Sequence, residues 1–423
     1  MSAPNGPPPF VERRRDEPDP AAVAFVLQLA RALHTYGYSA GRLEDVLGVT
    51  SERMGLTFHQ FFSTPTSVMA SFGAQARQRT FMIRVAPGDV NLGKLAELER
   101  VSLDVARGTL SPAEGMAEIE RVVAAPSPYG PLLTTLSYGV VSGASCQFLG
   151  GGAREILVAT PLGLGLGVFS LYAQPHPRLG RVFEPLASFL VSLTAIALAH
   201  LVGPLSVLVA TISGLIVLMP GLTVTTAMSE LAERHLASGT ARLSGAFFTF
   251  LGILFGVAIG NTLGARWFGA PPAVDPTHLP RWASFVALAV APACFMVILR
   301  AEPRELPWIV AAGALGVVGG RVGAHTLGAE LGAFAGSFAV ALASAGYERL
   351  RQRPAAVVLV PGILLLVPGS VGFRSLLYII DRNAVVGLQT AFSMIMTAVA
   401  LAAGLLIAGV VAPEARVRGI ARL

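Results

Sequence analysis

The chain has 423 residues, of which 53% are hydrophobic and 13% charged, and its mean hydropathy is +0.64. Soluble domains carry roughly 25% charged residues, so this composition excludes a single aqueous globule. The formal charge of +6 is almost wholly arginine, with Lys94 the single lysine. These arginines flank apolar runs, as in the loops of membrane proteins, and that pattern sets nucleic-acid binding aside.

The charge is unevenly spread. Residues 1–130 hold 13 of the 31 basic and 14 of the 25 acidic residues. A polar N-terminal region therefore precedes an apolar one. Residues 1–18 lack an apolar stretch and read as a disordered, proline-rich tail. From Pro20 to Tyr36, Ala22, Phe25, Val26, Leu29, Leu33 and Tyr36 share one helical stripe. Ser39 caps a second helix through "GRLEDVLGVTSERMG". "TFHQFFSTPTSVMASFG" and "QRTFMIRVAP" are rich in β-branched and aromatic residues and read as short strands. Two polar helices follow, the second opened by Ser111, Pro112 and Glu114 in a capping-box arrangement. Residues 19–126 thus form a small cytosolic α+β domain. The serines and threonines around Pro65 read as a turn between strands. With His34 or His59 they could instead serve a hydrolase, but no GxSxG elbow is present.

Beyond Pro131, apolar runs alternate with short polar loops. A spanning helix needs about 20 apolar residues, and ten candidates begin near Leu132, Ile156, Pro185, Pro204, Thr240, Trp282, Leu306, Gly328, Pro354 and Ala384. With the N-terminal region inside, arginines are more numerous in cytoplasmic segments, which places both termini in the cytoplasm. Cys146 and Cys294 lie far apart in apolar runs. No Cys/His cluster suggests a metal.

Two stretches break in the same way: "IVLMPGLTVTTAMSELAERHLASG" and "LLLVPGSVGFRSLLYIIDRNAVVG". At one ungapped offset Pro220-Gly221 falls on Pro368-Gly369, Glu233-Arg234 on Asp381-Arg382, Gly239 on Gly387, Gly256 on Gly404 and Cys146 on Cys294. The reading is a duplication. Five spans separate equivalent points, so the second copy enters the membrane inverted, as in alternating-access transporters. The fold class is therefore a mostly α membrane protein of about ten transmembrane helices in two inverted five-helix repeats, residues 127–268 and 269–412. The α+β domain precedes them, and a cytosolic tail, 413–423, follows.

A Pro-Gly break within a span frees backbone N–H and C=O groups, each costing several kcal/mol in lipid. They are tolerable where they face a polar ligand, and the restarting helix offers its positive end to a carboxylate. The expected substrate-binding set is Pro220, Gly221, Thr223, Thr226, Pro368, Gly369, Ser370 and Arg374. The hydroxyls could equally bond back to their own helices, and Arg374 could reach the outer interface instead. Charges retained at membrane level cost about 2.5–3.5 kcal/mol on insertion scales. Glu230, Glu233 and Asp381 are accordingly the expected proton-coupling set, although the acid-Arg pairs could also be solvated helix ends. No catalytic residue, cofactor or metal is expected.

With these motifs in view, the chain resembles the threonine/serine exporter family of bacterial membrane proteins. The resemblance lies in "LARALHTYGYSAGRLEDVL", "FFSTPTSVMASF", "GLIVLMPGLTVTTAMSELAERHLASGTARL" and "VVLVPGILLLVPGSVGFRSLLYIIDRNAVVGLQTAF". It implies a multi-pass protein of the bacterial plasma membrane that exports threonine and serine on the proton gradient. The implied partners are the amino-acid substrate, protons and the lipid bilayer, and a homo-oligomer is compatible with it. Members usually carry an acid where Glu230 stands, often after an arginine; here Ser229 precedes it. A related two-subunit branch is associated with succinate export, so a dicarboxylate exporter is the alternative substrate reading. A membrane-tethered enzyme or sensor is the alternative of another class.

Overall fold

The computed structural model describes residues 18–412, apart from positions 75, 76, 87, 273, 278, 368, 381 and 382. Pro368 and Asp381, residues 1–17 and the expected tail at 413–423 thus lie outside the described residues.

The N-terminal unit begins with α1 (Pro20–Thr35) and α2 (Ala40–Arg53). Asp19 caps α1 by accepting the Ala21 N–H, and Pro20 occupies the first turn, where its missing N–H costs nothing. Gly37, at φ +105°, turns the chain between the two helices. The first strand-like stretch is two strands, β1 (His59–Thr64) and β2 (Ser67–Phe72), joined by a turn at Pro65-Thr66. β3 (Arg79–Arg84) completes an antiparallel sheet of order β1-β2-β3. Helices α3 (Leu92–Ala106) and α4 (Pro112–Ala124) follow, and α4 carries the expected capping box between Ser111 and Glu114. Phe25, Leu29, Leu33, Leu43, Leu47, Val68, Phe72 and Leu98 are fully buried between these helices and one face of the sheet.

The remainder is helical: α5 (Pro131–Phe148), α6 (Ala153–Ala173), the short α7 (Pro177–Gly180), α8 (Phe183–Val202), α9 (Val207–Gly214), α10 (Gly221–Ala232) and α11 (Leu236–Phe268). Then come α12 (Arg281–Ile298), α13 (Leu306–Leu327), α14 (Ala329–Arg351), α15 (Ala356–Leu364), α16 (Gly369–Ile380) and α17 (Ala384–Val411). Among the described residues, seven helical segments are long and apolar enough to cross a membrane. The pair Val207–Gly214 and Ile216–Ala232, bent by 54°, would make an eighth. The chain is a multi-pass membrane protein. α5 was expected as a span but does not reach that hydropathy. α5 turns Ser137, Ser142 and Ser145 inward. Large exposed side chains such as Phe248, Phe255, Phe285 and Val410 suit lipid.

The offset found in the sequence recurs in the elements. α10 and α16 are each 12 residues long and begin at Gly221 and Gly369. α8 packs on α11 and α14 on α17. Gly256 admits the backbone of Phe189, whose nitrogen would stand 2.9 Å from an added Cβ. Gly404 does the same for Phe334, whose carbonyl oxygen would stand at 2.6 Å.

The N-terminal unit touches both halves. The Leu92 and Gly93 amides at the start of α3 donate to the Leu299 and Arg300 carbonyls at the end of α12, at 3.0 and 3.1 Å. Each helix end thereby supplies what the other lacks. Arg353 pairs with Glu305 at 2.9 Å and with Glu302 at 3.1 Å, and the Tyr347 hydroxyl donates to Glu305 at 2.7 Å. One apolar cluster runs from Phe25 and Leu98 through Phe295, Ile309 and Val358. α2 meets α10 and α11 through a separate contact.

Candidate substrate cavity

The first broken helix is a sequence of small steps. α9 ends at Gly214, residues Ile216–Leu218 form a 3-10 turn, and the Gly221 amide reaches back to the Met219 carbonyl at 2.8 Å. Pro220 stands at the head of α10, and its carbonyl accepts the first helical bond, from Val224, at 3.0 Å. Proline fits here because its position needs no donor.

The two breaks meet. A Cβ on Gly221 would collide with Val367 Cγ1 and lie 3.1 Å from Gly369 Cα. A Cβ on Gly369 would lie 3.2 Å from Met219 Cβ and 3.4 Å from Gly221 Cα. Met219 and Val367 occupy equivalent places before their respective breaks, so the contact is reciprocal, as across a two-fold axis. From this crossing the helices lead to different neighbours. α10 runs to the N-terminal unit, while on α16 Arg374 Nη2 reaches the Leu149 carbonyl at the end of α5, at 3.5 Å.

A cavity of about 670 Å³ lies beside α10. Thr225, Thr226 and Ser229 line it from α10, Glu233 and His235 from the segment after it, and Leu359, Val360, Ile363 and Leu405 from α15 and α17. The N-terminal unit walls it with the turn from Gly37 to Arg42, Asp45 on α2, and Val90, Leu92 and Leu95 at and before the start of α3. Thr225 spends its hydroxyl on its own helix, donating to the Gly221 carbonyl at 3.1 Å. Ser229 Oγ is buried without a hydrogen-bond partner. The volume and the mixture of apolar wall and few polar groups suit a small ligand.

Glu230 closes this wall. Its carboxylate is fully buried and accepts from Arg242 Nε at 3.0 and 3.1 Å and from the Ala40 N–H at 2.9 Å. Arg242 also donates to the Tyr38 carbonyl at 3.3 Å. Ser39 gives α2 no side-chain cap. Glu230, on a helix 190 residues away, supplies the negative group that the α2 N-terminus attracts. Within the turn, Tyr38 donates to Glu99, and Arg42 Nη2 pairs with the same carboxylate at 2.7 Å. Burial pushes the Tyr38 hydroxyl well above its ordinary range, and Glu99 adds to the effect.

Glu233 sits just beyond α10 against the first turn of α2. A Cβ on Gly41 would stand 2.8 Å from Glu233 Oε2 and 3.2 Å from His235 Nε2. Burial raises the Glu233 carboxyl above the usual range, with Asp45 and Glu230 adding to the rise and His235 opposing it. Burial raises Asp45 likewise, against Arg42 and His235.

Of the expected residues, Thr226 and Glu233 line the cavity and Gly221 and Gly369 form the crossing. Thr223, Ser370 and Arg374 do not line it. Arg374 Nε is buried without a partner near the end of α5. Sequence reasoning missed Tyr38, Arg42, Asp45 and Arg242. The one signal for Arg242 was its position twelve residues after Glu230, across a turn sharpened by Arg234 at φ +68°. For the hydrolase alternative, His34 Nε2 meets the Thr64 carbonyl at 2.7 Å, and Ser71 bonds Thr80. Among the described residues neither hydroxyl, Ser63 nor Ser71, is paired with an imidazole.

Comparison with known proteins agrees with this architecture. A family model described as "Putative threonine/serine exporter" matches residues 24–264, and a second, "Threonine/Serine exporter, ThrE", matches residues 284–411. The chain belongs to the threonine/serine exporter family. The first match ends within α11 and the second begins within α12. Curated relatives of this exporter-family chain include yeast proteins named pheromone-regulated membrane protein 10. That of Debaryomyces hansenii is 28% identical over 371 residues, covering 84% of this chain and 36% of the relative. That of Eremothecium gossypii is 27% identical, covering 84% of this chain and 49% of the relative. That of Saccharomyces cerevisiae (strain YJM789) is 26% identical, covering 83% and 46%. The chain thus spans less than half the length of these relatives. No solved structure matches it.

Proposed function

We propose that this chain exports small hydroxylated amino acids, threonine and serine, across a bacterial plasma membrane by proton-coupled alternating access. The observation that carries the proposal is the cavity beside the broken helix, with hydroxyls on one wall, apolar side chains on another and carboxylates at its rim. Thr226 and Ser229 suit a hydroxylated side chain, and the lining leucines, valine and isoleucine suit a methyl group. The reciprocal Gly221–Gly369 contact supports two repeats related by a two-fold axis. Five crossings per repeat would make them inverted and the crossing a midplane pivot. The arginine distribution supports a cytoplasmic N-terminal domain, so the cavity faces the cytoplasm, where substrate is loaded. Pro220, Thr223, Pro368, Ser370 and Arg374 would then serve the other face of the cycle as the halves rock.

Glu230 and Glu233 take different parts in coupling. Glu233 borders the cavity, where a proton can come and go with the substrate. Protonation of Glu230 would remove the charge that holds Arg242 and the Ala40 amide, and so would release the N-terminal wall. Asp381 is the repeat counterpart of Glu233 and would serve the opposite side.

Proteoliposomes loaded with labelled threonine test the proposal. Efflux should accelerate under an imposed proton gradient, and 100 mV is worth about 2.3 kcal/mol per charge, or roughly 50-fold in concentration. Efflux no faster than from protein-free vesicles would end it.

A further inference from the structure

Two carboxylates at the cavity rim come from different parts of the fold. Asp45 lies on α2, one turn beyond Gly41, and Glu233 lies against Gly41 from the end of α10. Residues four apart share a helix face, so Asp45 and Glu233 flank the same spot. Neither carboxylate has a hydrogen-bond or ion-pair partner among the described residues. The neighbouring basic side chains, Arg42 and His235, also face other carboxylates. Arg42 is held by Glu99 at 2.7 Å, and His235 stands 3.8 Å from Glu44.

We infer that Asp45 and Glu233 together bind the ammonium group of the transported substrate, so that the N-terminal unit supplies half of the recognition site. This rests on the exporter reading above. Two carboxylates at one rim of the cavity, with no hydrogen-bond partner of their own, favour a cation between them. A metal ion does not fit, because no group of three or more His, Cys, Asp or Glu side chains among the described residues is placed to hold one. A primary ammonium fits, with three donors to divide between two carboxylates. The same charges repel a dicarboxylate, so the site distinguishes an amino acid from succinate. The partnerless Ser229 Oγ lines the same cavity and is available to the substrate hydroxyl. The N-terminal unit is therefore part of the transport site.

The test uses the full chain in proteoliposomes, with labelled threonine as substrate. Threonine methyl ester keeps the ammonium and the hydroxyl, and 3-hydroxybutyrate keeps the carboxylate and the hydroxyl. The ester should compete and 3-hydroxybutyrate and succinate should not. Asp45→Asn and Glu233→Gln should each raise the half-saturating threonine concentration about ten- to a hundred-fold. Asp45→Glu should recover most of the loss, which a purely structural role would not predict. Unchanged half-saturation in Asp45→Asn, or equal competition by 3-hydroxybutyrate, overturns the inference. If Asp45→Asn fails to fold, the competitor series decides alone. A wild-type protein that moves no hydroxylated amino acid overturns the exporter reading itself. A wild type that moves threonine beside an unaffected Asp45→Asn overturns this inference only.

Discussion

Replacing Arg242 by methionine keeps most of the side-chain volume and removes the charge. Glu230 is then left with no exposure and one donor, the Ala40 amide. Stranding one member of a buried ion pair costs about 3–5 kcal/mol, and each 1.4 kcal/mol is tenfold. The ratio of docked to undocked α2 should fall by roughly two to four powers of ten. Hydrogen exchange of backbone amides in residues 38–45, in detergent or nanodiscs, reads this directly. Protection there should collapse, while the Leu92 and Gly93 amides, bonded to the end of α12, should keep theirs. Adding Glu230→Gln should restore part of the protection, because no charge is then stranded. Native protection in Arg242→Met, or a double variant no better than the single one, would refute the assignment of this ion pair as the anchor of α2.

Gly221→Ala drives a Cβ into Val367 and toward the Gly369 backbone, so the thermal midpoint should fall by an amount equivalent to about 1–3 kcal/mol. Gly369→Ala has more room and should cost less; equal midpoints for the two would contradict the crossing geometry. Tyr347→Phe removes a 2.7 Å donor from the buried Glu305 carboxylate and should destabilise by about 1.5–3 kcal/mol, measured by the same melt. The pH dependence of docking follows from Glu233. Its folded-state pKa is raised, so it stabilises docking while protonated, and that contribution disappears as pH rises through the folded value. Exchange protection of residues 38–45 should therefore weaken between mildly acidic and neutral pH, and Glu233→Gln should flatten that dependence.

The sequence revealed periodic and repeated features well. The stripe on α1, the capping box on α4 and the common offset of the two Pro-Gly breaks each follow from local chemistry or copied sequence. The turn at Pro65-Thr66 was legible too, because proline among serines and threonines reads as a break between two strands, and the hairpin forms there. α5 looks weaker as a span than expected, since a helix covered by its neighbours can carry serines. The role of Glu230 was the least legible. Its acid character marked it for attention, but its partners lie on α2 and α11, and no spacing rule connects Ala40 to a residue 190 positions later. Asp45 escaped notice for the same reason, as an ordinary surface acid on an amphipathic helix until α10 is placed beside it.

The N-terminal unit is fastened at two points, α2 to Glu230 and Arg242, and α3 to the last carbonyls of α12. These hydrogen bonds span 2.9–3.3 Å and tolerate little stretch. The unit is thus a brace across two bodies that meet through α5 and α12, through α10 and α17, and at a pair of bare glycines. Separating the two bodies would therefore mean unfastening one end of the brace as well as parting those helices.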